Sequence, residues 1–242
     1  MVLFYTCSDP RFVVYAGNDK FENEKLLEHG FPEDLWFHVD DFSSAHVYLR
    51  LPLDLWRQLQ KIQSPELFPD FAGGAGAAAA GSKKSSEKKT ELTEQHYRSI
   101  IPQVVIDEMC TLVKGNSIAG SKVAEADICW TPFANLRKDK QSMDVGTVGF
   151  KNEKRVWLVK NWARTGSKSE DGENNRAVLK RLEKSKRQDD KGDFGAELAE
   201  RQKVENGFRR GLGGKKKSLE EEAAQRGGEE KGLKRDASVN AV

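Results

Sequence analysis

Two short runs of alternating apolar and polar residues, joined by a polar loop, constrain the fold of this chain more than any other feature. They lie in the segment FPEDLWFHVDDFSSAHVYLR, residues 31–50. In residues 35–40, a period of two places Phe37 and Val39 on one face. Residues 45–51 repeat the pattern. If the two runs pair as an antiparallel hairpin, their aliphatic faces coincide, and the sequence therefore predicts a sheet with this face in the core.

The opposite face of this hairpin carries aromatic and imidazole rings and charged groups. It carries Trp36, His38, Asp40, His46, Tyr48 and Arg50. Such a face predicts an exposed platform for a planar, anionic ligand, because rings stack on bases and a guanidinium pairs with phosphate. The common alternative is that the histidines are structural, bonded to the backbone or to the hydroxyls of Ser43 and Ser44. A metal site and acid–base catalysis are less favoured, since neither a fuller ligand set nor a nucleophile accompanies the histidines.

Turn residues, caps and periodicity outline the other elements. Strands are predicted at residues 2–6, 11–16, 123–130 and 156–159, and helices at 23–29, 53–63, from Pro102 to Gly115 or Asn116, and at 176–187. Gly30 is expected to end the first of these helices in the left-handed conformation. The sequence thus predicts an α+β domain over residues 1–160, with a mostly antiparallel sheet and packed helices.

Two segments differ from this domain in composition. Residues 64–90 contain a Gly/Ala run followed by a lysine cluster, which predicts a disordered insertion. Residues 161–242 contain 20 lysines and arginines against 16 acidic residues and predict a charged, partly helical tail. The whole chain has a net charge of only +2, so total charge gives no preference for nucleic acid.

The sequence shows no signature of secretion, of a membrane span or of a metal cofactor. Cys7, Cys110 and Cys129 match neither a disulfide framework nor a zinc pattern, which favours an intracellular protein, cytoplasmic or nuclear. The N-terminal residues lack the regions of a signal peptide. The longest apolar patch, residues 100–113, is too short and too interrupted to cross a bilayer. We expect neither a cofactor nor a bound metal.

Two loops carry patterns related to phosphate or nucleic-acid binding. GNSIAGSK, residues 115–122, is close to a phosphate-binding loop, but its last two residues are in the wrong order and it follows a predicted helix. A helix end and a turn account for it better. TPFANLRKDK, residues 131–140, places aromatic residues near Arg137 and Lys138, as single-strand-binding grooves do. A solvated basic loop beside core aromatic residues would have the same sequence.

Several motifs follow one another in an order that identifies a family. They are VLFYT, GNDKFENEKLLEHG, PEDLWFHVDDFSSAHVYLR, LVKGNSIAGSKV, TPFANLRK, MDVGTVGF and LKRLEKSK. In this order the chain resembles the coiled-coil domain-containing protein 25 family, a stand-alone form of NFACT-R, the RNA-binding domain of the NFACT proteins. The insertion and the glycine-rich tail depart from the family pattern. Glycines disfavour helix, so they weaken the expectation of a C-terminal coiled coil.

The resemblance implies a nucleic-acid-binding α+β domain without catalysis. It implies RNA or DNA as partner and a link to translation or ribosome-associated quality control, with the ribosome as a further partner. The binding residues it implies are Asn18, Asp19, Lys20, Phe21, His38, Ser44, His46, Arg137 and Lys138. The alternative function is a protein-interaction adaptor that binds a protein partner through its charged tail.

Overall fold

The structure is a computed structural model of the chain. It describes residues 1–63, 90–139, 141–163, 173–188, 199–200 and 203. The chain divides into two compact units, and the fold and the site described below belong to the first unit. The predicted insertion, except residue 90, and most of the predicted tail lie outside the described residues.

The described residues alternate short strands and helices. The strands are β1 (Val2–Tyr5), β2 (Val13–Gly17), β3 (Asp34–Val39), β4 (Val47–Arg50), β5 (Glu125–Pro132), β6 (Leu136–Arg137), β7 (Gly149–Phe150), β8 (Trp157–Ala163) and β9 (Arg187–Gln188). The helices are α1 (Lys20–His29), α2 (Leu53–Gln63), α3 (Glu94–Arg98), α4 (Gln103–Gly115) and α5 (Asn175–Ser185).

Seven of these strands form one antiparallel sheet in the order β8-β5-β3-β4-β2-β1-β9, and β6 and β7 form a small hairpin. Strands β3 and β4 pair as the sequence predicts, with Trp36 opposite Tyr48. Strand β5 pairs with the other edge of β3. The predicted α+β class and the mostly antiparallel sheet are confirmed.

The aliphatic face of the sheet packs on helix α4 and forms the core. Phe37, Val39, Val47 and Leu49 are fully buried on the sheet side. The helix contributes a buried stripe at Val105, Ile106, Met109, Leu112 and Val113. Full burial of such side chains contributes roughly 1.5–3 kcal/mol each, before the loss of conformational entropy. The predicted helix after Pro102 is confirmed, and it supplies the main support of the sheet.

The ring-bearing face of the hairpin is also buried, so the prediction of an exposed aromatic platform is wrong. Trp36 is 2% exposed and Tyr48 is fully buried. The ring of Phe150, on β7, lies 5.8 Å from that of Trp36. The ring of Phe133, just before β6, lies 6.2 Å from that of Tyr48. The β6–β7 hairpin therefore covers this face, a long-range contact that the local pattern does not reveal.

The guanidinium expected on the platform is part of a buried ion pair. Arg50 is 1% exposed, and its Nε lies 2.8 Å from Oδ1 of Asp34, which is fully buried. Its guanidinium also lies over the ring of Phe31, 4.4 Å from the centroid. The Tyr15 hydroxyl donates to Asp34 Oδ2 at 2.6 Å. Arg50 therefore stabilises the interior instead of offering charge to a ligand.

Helix α1 begins at a side-chain cap and ends without a left-handed residue. Asp19 Oδ1 accepts hydrogen bonds from the backbone N–H groups of Phe21 and Glu22. Gly30 has φ −67° and ψ 153°, so the expected left-handed cap is wrong. A Cβ at Gly30 would lie 2.2 Å from the Phe133 ring. Close approach, not backbone conformation, therefore requires this glycine.

The compact unit includes elements beyond residue 160. Helix α5 packs against α4, and β9 pairs with β1 through Arg187 and Phe4. Arg181 Nη2 on α5 lies 2.6 Å from Oε1 of Glu108, which is fully buried on α4. Glu108 also accepts from the Ser8 N–H and hydroxyl. This network fixes α5 to both the core helix and the β1–β2 turn.

Candidate nucleic-acid interface

A cleft of about 600 Å³ opens beside the ends of β1, β2 and β3. Six residues that the family resemblance implied line it: Asn18, Asp19, Lys20, His38, Ser44 and His46. They come from two separate stretches of sequence, the turn before α1 and the β3–β4 loop. The fold therefore brings together most of the predicted binding residues at one concave surface.

The first wall of the cleft is the N-terminal turn of α1. Asn18, Asp19, Lys20 and Phe21 are all exposed, Phe21 by 61%. The Lys20 ammonium lies 5.2 Å from the centroid of the Phe21 ring. Hydrogen bonds from the backbone N–H of Glu22 lead the causes that lower the pKa of Asp19. The carboxylate of Asp19 thus neutralises the helix N-terminus, while Lys20 presents its charge to solvent.

The floor of the cleft is made by the β3–β4 loop and its two histidines. The His38 ring stacks on Trp36 at 5.2 Å, and the His46 ring meets both of them edge-on. Ser44 Oγ accepts from the Val39 N–H at 3.1 Å and donates to the carbonyl of Ala45. The loop is thus held by its own backbone and hydroxyl groups. The Nδ1 atom of His38 also bonds to the backbone carbonyl of Val39, the kind of contact that the structural interpretation expected of a histidine.

Burial keeps both histidines neutral. It lowers the pKa of His38, and it lowers the pKa of His46 to about 3, with neighbouring His38 acting in the same direction. His46 is 3% exposed, and its Nδ1 has no hydrogen-bond partner among the described residues. The Oδ1 atom of Asn23, 7% exposed, is likewise unpartnered there. Two buried polar groups without partners therefore belong to residues that line the cleft.

Hydrogen bonds and an ion pair hold the lip of the cleft, Val145, Gly146 and Thr147, in place. Lys138 Nζ donates to the carbonyls of Asp144 and Thr147 at 2.7 and 2.9 Å. The same ammonium lies 2.9 Å from Glu24 Oε2 on α1, which also accepts from the Gly146 N–H at 3.0 Å. Lys138 is thus engaged within the protein.

Gly146 allows the lip to approach α1 closely. Its φ of +83° is one that side chains disfavour, and a Cβ there would lie 3.1 Å from the Cβ of Lys20. The lip and the first wall therefore meet at the residue whose charge faces the cleft. Gly146, which belongs to the family motif MDVGTVGF, therefore shapes one side of the site.

Arg137 and the aromatic residues of the loop TPFANLRKDK do not line the cleft. Arg137 is exposed on β6, where it pairs with Gly149 of β7. Trp130 is fully buried and stacks on Phe37 at 5.6 Å. Trp130, directly before this loop, therefore belongs to the core, as the alternative of a basic loop beside core aromatic residues predicted.

The second wall of the cleft consists of Asn116, Ile118 and Lys186, which sequence reasoning missed. Asn116 ends α4, and Ile118, in the following turn, is 81% exposed. Lys186 follows α5, and its Nζ lies 2.9 Å from Glu183 Oε2. Asn116 and Ile118 lie within GNSIAGSK, which is a helix end and a turn as predicted. The signal available in the sequence was an isoleucine among the small and polar residues of a predicted turn.

The charged residues that line the cleft sum to one positive charge, while Glu183 pairs with one of the two lysines from outside the lining. The charged lining residues are Lys20, Lys186 and Asp19, and the carboxylate of Asp19 accepts helix N–H groups. The two histidines add no charge at neutral pH, because burial lowers their pKa values. The cleft therefore combines two ammonium groups, neutral polar groups and exposed apolar side chains. This combination suits an anion with apolar faces.

The fold and the cleft define a mixed α+β binding domain, and comparison with known proteins identifies its family. The family model described as the NFACT protein RNA binding domain matches residues 1–152. This chain belongs to that family. The family's description names binding of RNA and no catalysis. None of the described helices is long and apolar enough to cross a membrane.

Curated relatives extend the similarity beyond residue 152. The chain is 37% identical over 186 residues to the coiled-coil domain-containing protein 25 homolog of Dictyostelium discoideum, covering 77% of this chain and 65% of that protein. It is 36% identical over 162 residues to coiled-coil domain-containing protein 25 of Mus musculus, covering 66% and 58%. The match thus spans less than two thirds of these relatives.

One solved structure is similar at a lower level. It is the C-terminal part of the fibronectin/fibrinogen-binding protein from Streptococcus suis, with a TM-score of 0.42 and 13% identity. The similarity covers 76% of this chain and 48% of that one, and it is too low to carry an argument.

Proposed function

We propose that this chain binds nucleic acid, RNA or DNA, without catalysing a reaction, and that the cleft is the binding site. One observation carries the proposal: six residues implied by the family resemblance, distant in sequence, line the same cleft. The family description, which names RNA binding, supports the same class of ligand.

The chemistry of the cleft fits phosphate and polar contacts. The exposed ammonium of Lys20 meets a phosphate, and the Asn18 side chain donates hydrogen bonds to sugar or base. Ser44 Oγ, whose proton goes to the Ala45 carbonyl, accepts a hydrogen bond instead. His38 and His46 act as neutral groups, because burial lowers their pKa values. Phe21, 61% exposed beside Lys20, offers a ring on which a base can stack.

Arg137 and Lys138 have different roles in this proposal. Arg137 is exposed outside the cleft and provides an outer phosphate contact. The ammonium of Lys138 is satisfied by Glu24 and two carbonyl groups, so it acts mainly by holding the lip.

The test is a salt titration of binding to labelled single-stranded RNA, duplex RNA and duplex DNA, followed by fluorescence anisotropy. Lys20→Glu in the full chain should weaken binding and reduce the slope of log K against log[salt] by about 0.7 or more for a single strand, because a phosphate contact is lost. Lys25→Glu is the matched control, since Lys25 lies on the same helix, is 68% exposed and does not line the cleft. Equal effects of the two changes would refute the assignment.

The adaptor hypothesis attributes the function to the charged tail, most of which lies outside the described residues. Binding to a protein partner through apolar contacts would respond little to salt, whereas phosphate contacts respond steeply. A setting at the ribosome inside the cell is the finer part of our proposal and rests on the family resemblance. Cosedimentation of the full chain with ribosomes, lost in Lys20→Glu, would support it.

A further inference from the structure

The second wall of the cleft comes partly from outside the family domain. The family match ends at residue 152, but Lys186 lines the cleft together with Asn116 and Ile118. A domain cut at that boundary would keep Lys20 and the histidines and would lose one of the two ammonium groups of the cleft. The site is therefore incomplete without the segment that follows the family domain.

Lys186 is held in a defined place by the elements on either side of it. On its N-terminal side, Ser185 Oγ accepts from the Thr6 N–H at 3.0 Å, and Leu182 of α5 is fully buried. On its C-terminal side, Arg187 pairs with Phe4 in β9, and its guanidinium lies over the Phe4 ring at 4.6 Å. These contacts fix the backbone at residue 186 against β1, next to the cleft.

The ammonium of Lys186 can change partners easily. It pairs with Glu183 at 2.9 Å, but the two side chains are 40% and 33% exposed. Such a solvated pair contributes little to stability, so a phosphate can replace the carboxylate at small cost. Glu183 keeps a second partner in that case, since Asn116 Nδ2 donates to its Oε1 at 3.3 Å.

The apolar groups at the cleft favour single-stranded over double-stranded nucleic acid as the ligand. Ile118 and Val145 line the cleft and are 81% and 46% exposed, and Phe21 stands beside Lys20. Unstacked bases present apolar faces to such side chains, whereas a duplex presents phosphates and groove edges. A cleft of about 600 Å³ also has the size of sites for small molecules and cannot enclose a double helix.

We infer that the ligand of the cleft is a single strand whose backbone is bound at two points, Lys20 on the family domain and Lys186 beyond it. The inference rests on the proposed function and adds the strandedness of the ligand and a second contact point. An unstacked base lies against Ile118 of the second wall and Val145 of the lip, both of which line the cleft. Lys186, between α5 and β9, is thus part of the binding site.

The test uses the full chain and labelled oligouridylate, alone and as its duplex with oligoadenylate. Lys186→Ala should weaken binding of the single strand and lower the salt slope by about 0.7, the value for one phosphate contact. The matched control is Lys180→Ala, because Lys180 is exposed on α5 and does not line the cleft. This control should leave both affinity and slope unchanged.

A second variant tests the apolar contact. Ile118→Asn should weaken single-strand binding without changing the salt slope, because no charge is lost. Since Ile118 is 81% exposed, the melting temperature should not change.

The outcomes separate this inference from the proposed function. Binding of neither probe by the wild-type chain would refute both. Binding of oligouridylate with Lys186→Ala equal to Lys180→Ala would overturn the second contact point and leave the proposed function standing. Equal affinity for strand and duplex, with Ile118→Asn unchanged, would overturn the single-strand assignment.

Discussion

Replacing Arg50 by methionine should lower stability far more than the same change at Arg11. Each arginine pairs with an aspartate at nearly the same distance, 2.8 Å for Arg50–Asp34 and 2.7 Å for Arg11–Asp9. The first pair is 1% and 0% exposed, whereas the Arg11 side chain is 57% exposed. Burial is therefore the main difference between two similar contacts.

The size of the stability loss in Arg50→Met follows from the charged group that is left buried after the substitution. Without Arg50, the carboxylate of Asp34 stays buried with two donors, the Tyr15 hydroxyl and the Phe31 N–H. Removing one partner of a buried pair costs about 3–5 kcal/mol, because the remaining charge is left uncompensated. For a domain of this size, 1 kcal/mol shifts the melting temperature by roughly 2–4 °C, so Arg50→Met should lower it by roughly 6–20 °C.

Thermal and urea unfolding of the wild type, Arg50→Met and Arg11→Met provide the assay. Arg11→Met should leave the melting temperature nearly unchanged, since exposed pairs contribute little. The double change Arg50→Met with Asp34→Leu should recover part of the loss, because the orphaned charge is gone. Recovery stays incomplete, since the Tyr15 hydroxyl loses its acceptor. Equal small effects at Arg50 and Arg11 would refute the argument from burial.

Two further predictions concern the site. Glu24→Gln should weaken single-strand binding with an unchanged salt slope, because it loosens the lip held by Lys138 and removes no ammonium group from the cleft. Glu22→Gln, on the same helix turn, is the control, and a loss of affinity in both variants would contradict the assignment to the lip. The free energy of unfolding should fall as the pH decreases below about 6.5. His46 should contribute up to about 1.4 kcal/mol per pH unit, because its pKa of about 3 in the folded state keeps it neutral while the same histidine in the unfolded chain takes up a proton. In His46→Leu, the pH dependence of unfolding should flatten; a curve identical to that of the wild type would refute the role of His46.

The sequence was sufficient for the local elements of this fold. Alternation in residues 35–40 and 45–51 predicts the β3–β4 hairpin, and its aliphatic face does lie in the core. The periodicity after Pro102 predicts α4. These signals work because each depends on neighbours two to four residues apart.

The sequence was not sufficient wherever a distant segment decides burial. A ring at Trp36 or Tyr48 has the same sequence pattern whether it faces solvent or the β6–β7 hairpin, and only the contact with Phe150 or Phe133 settles the matter. Lys138 carries the same charge as Lys20, but the Glu24 partner that engages it lies on α1. Lys186 reaches the cleft only because β9 pairs with β1.

The pairing of β9 with β1 also determines when the outer edge of β1 becomes paired during synthesis. Strand β1 is synthesised before β9, and its outer edge is covered only when residues 187–188 follow. Until then that edge offers unpaired backbone groups to other chains. A fragment ended at residue 152 would keep the edge open permanently and would be prone to edge-to-edge association. The pairing of β1 with β9 therefore makes protection of the sheet edge against association depend on a segment outside the family domain.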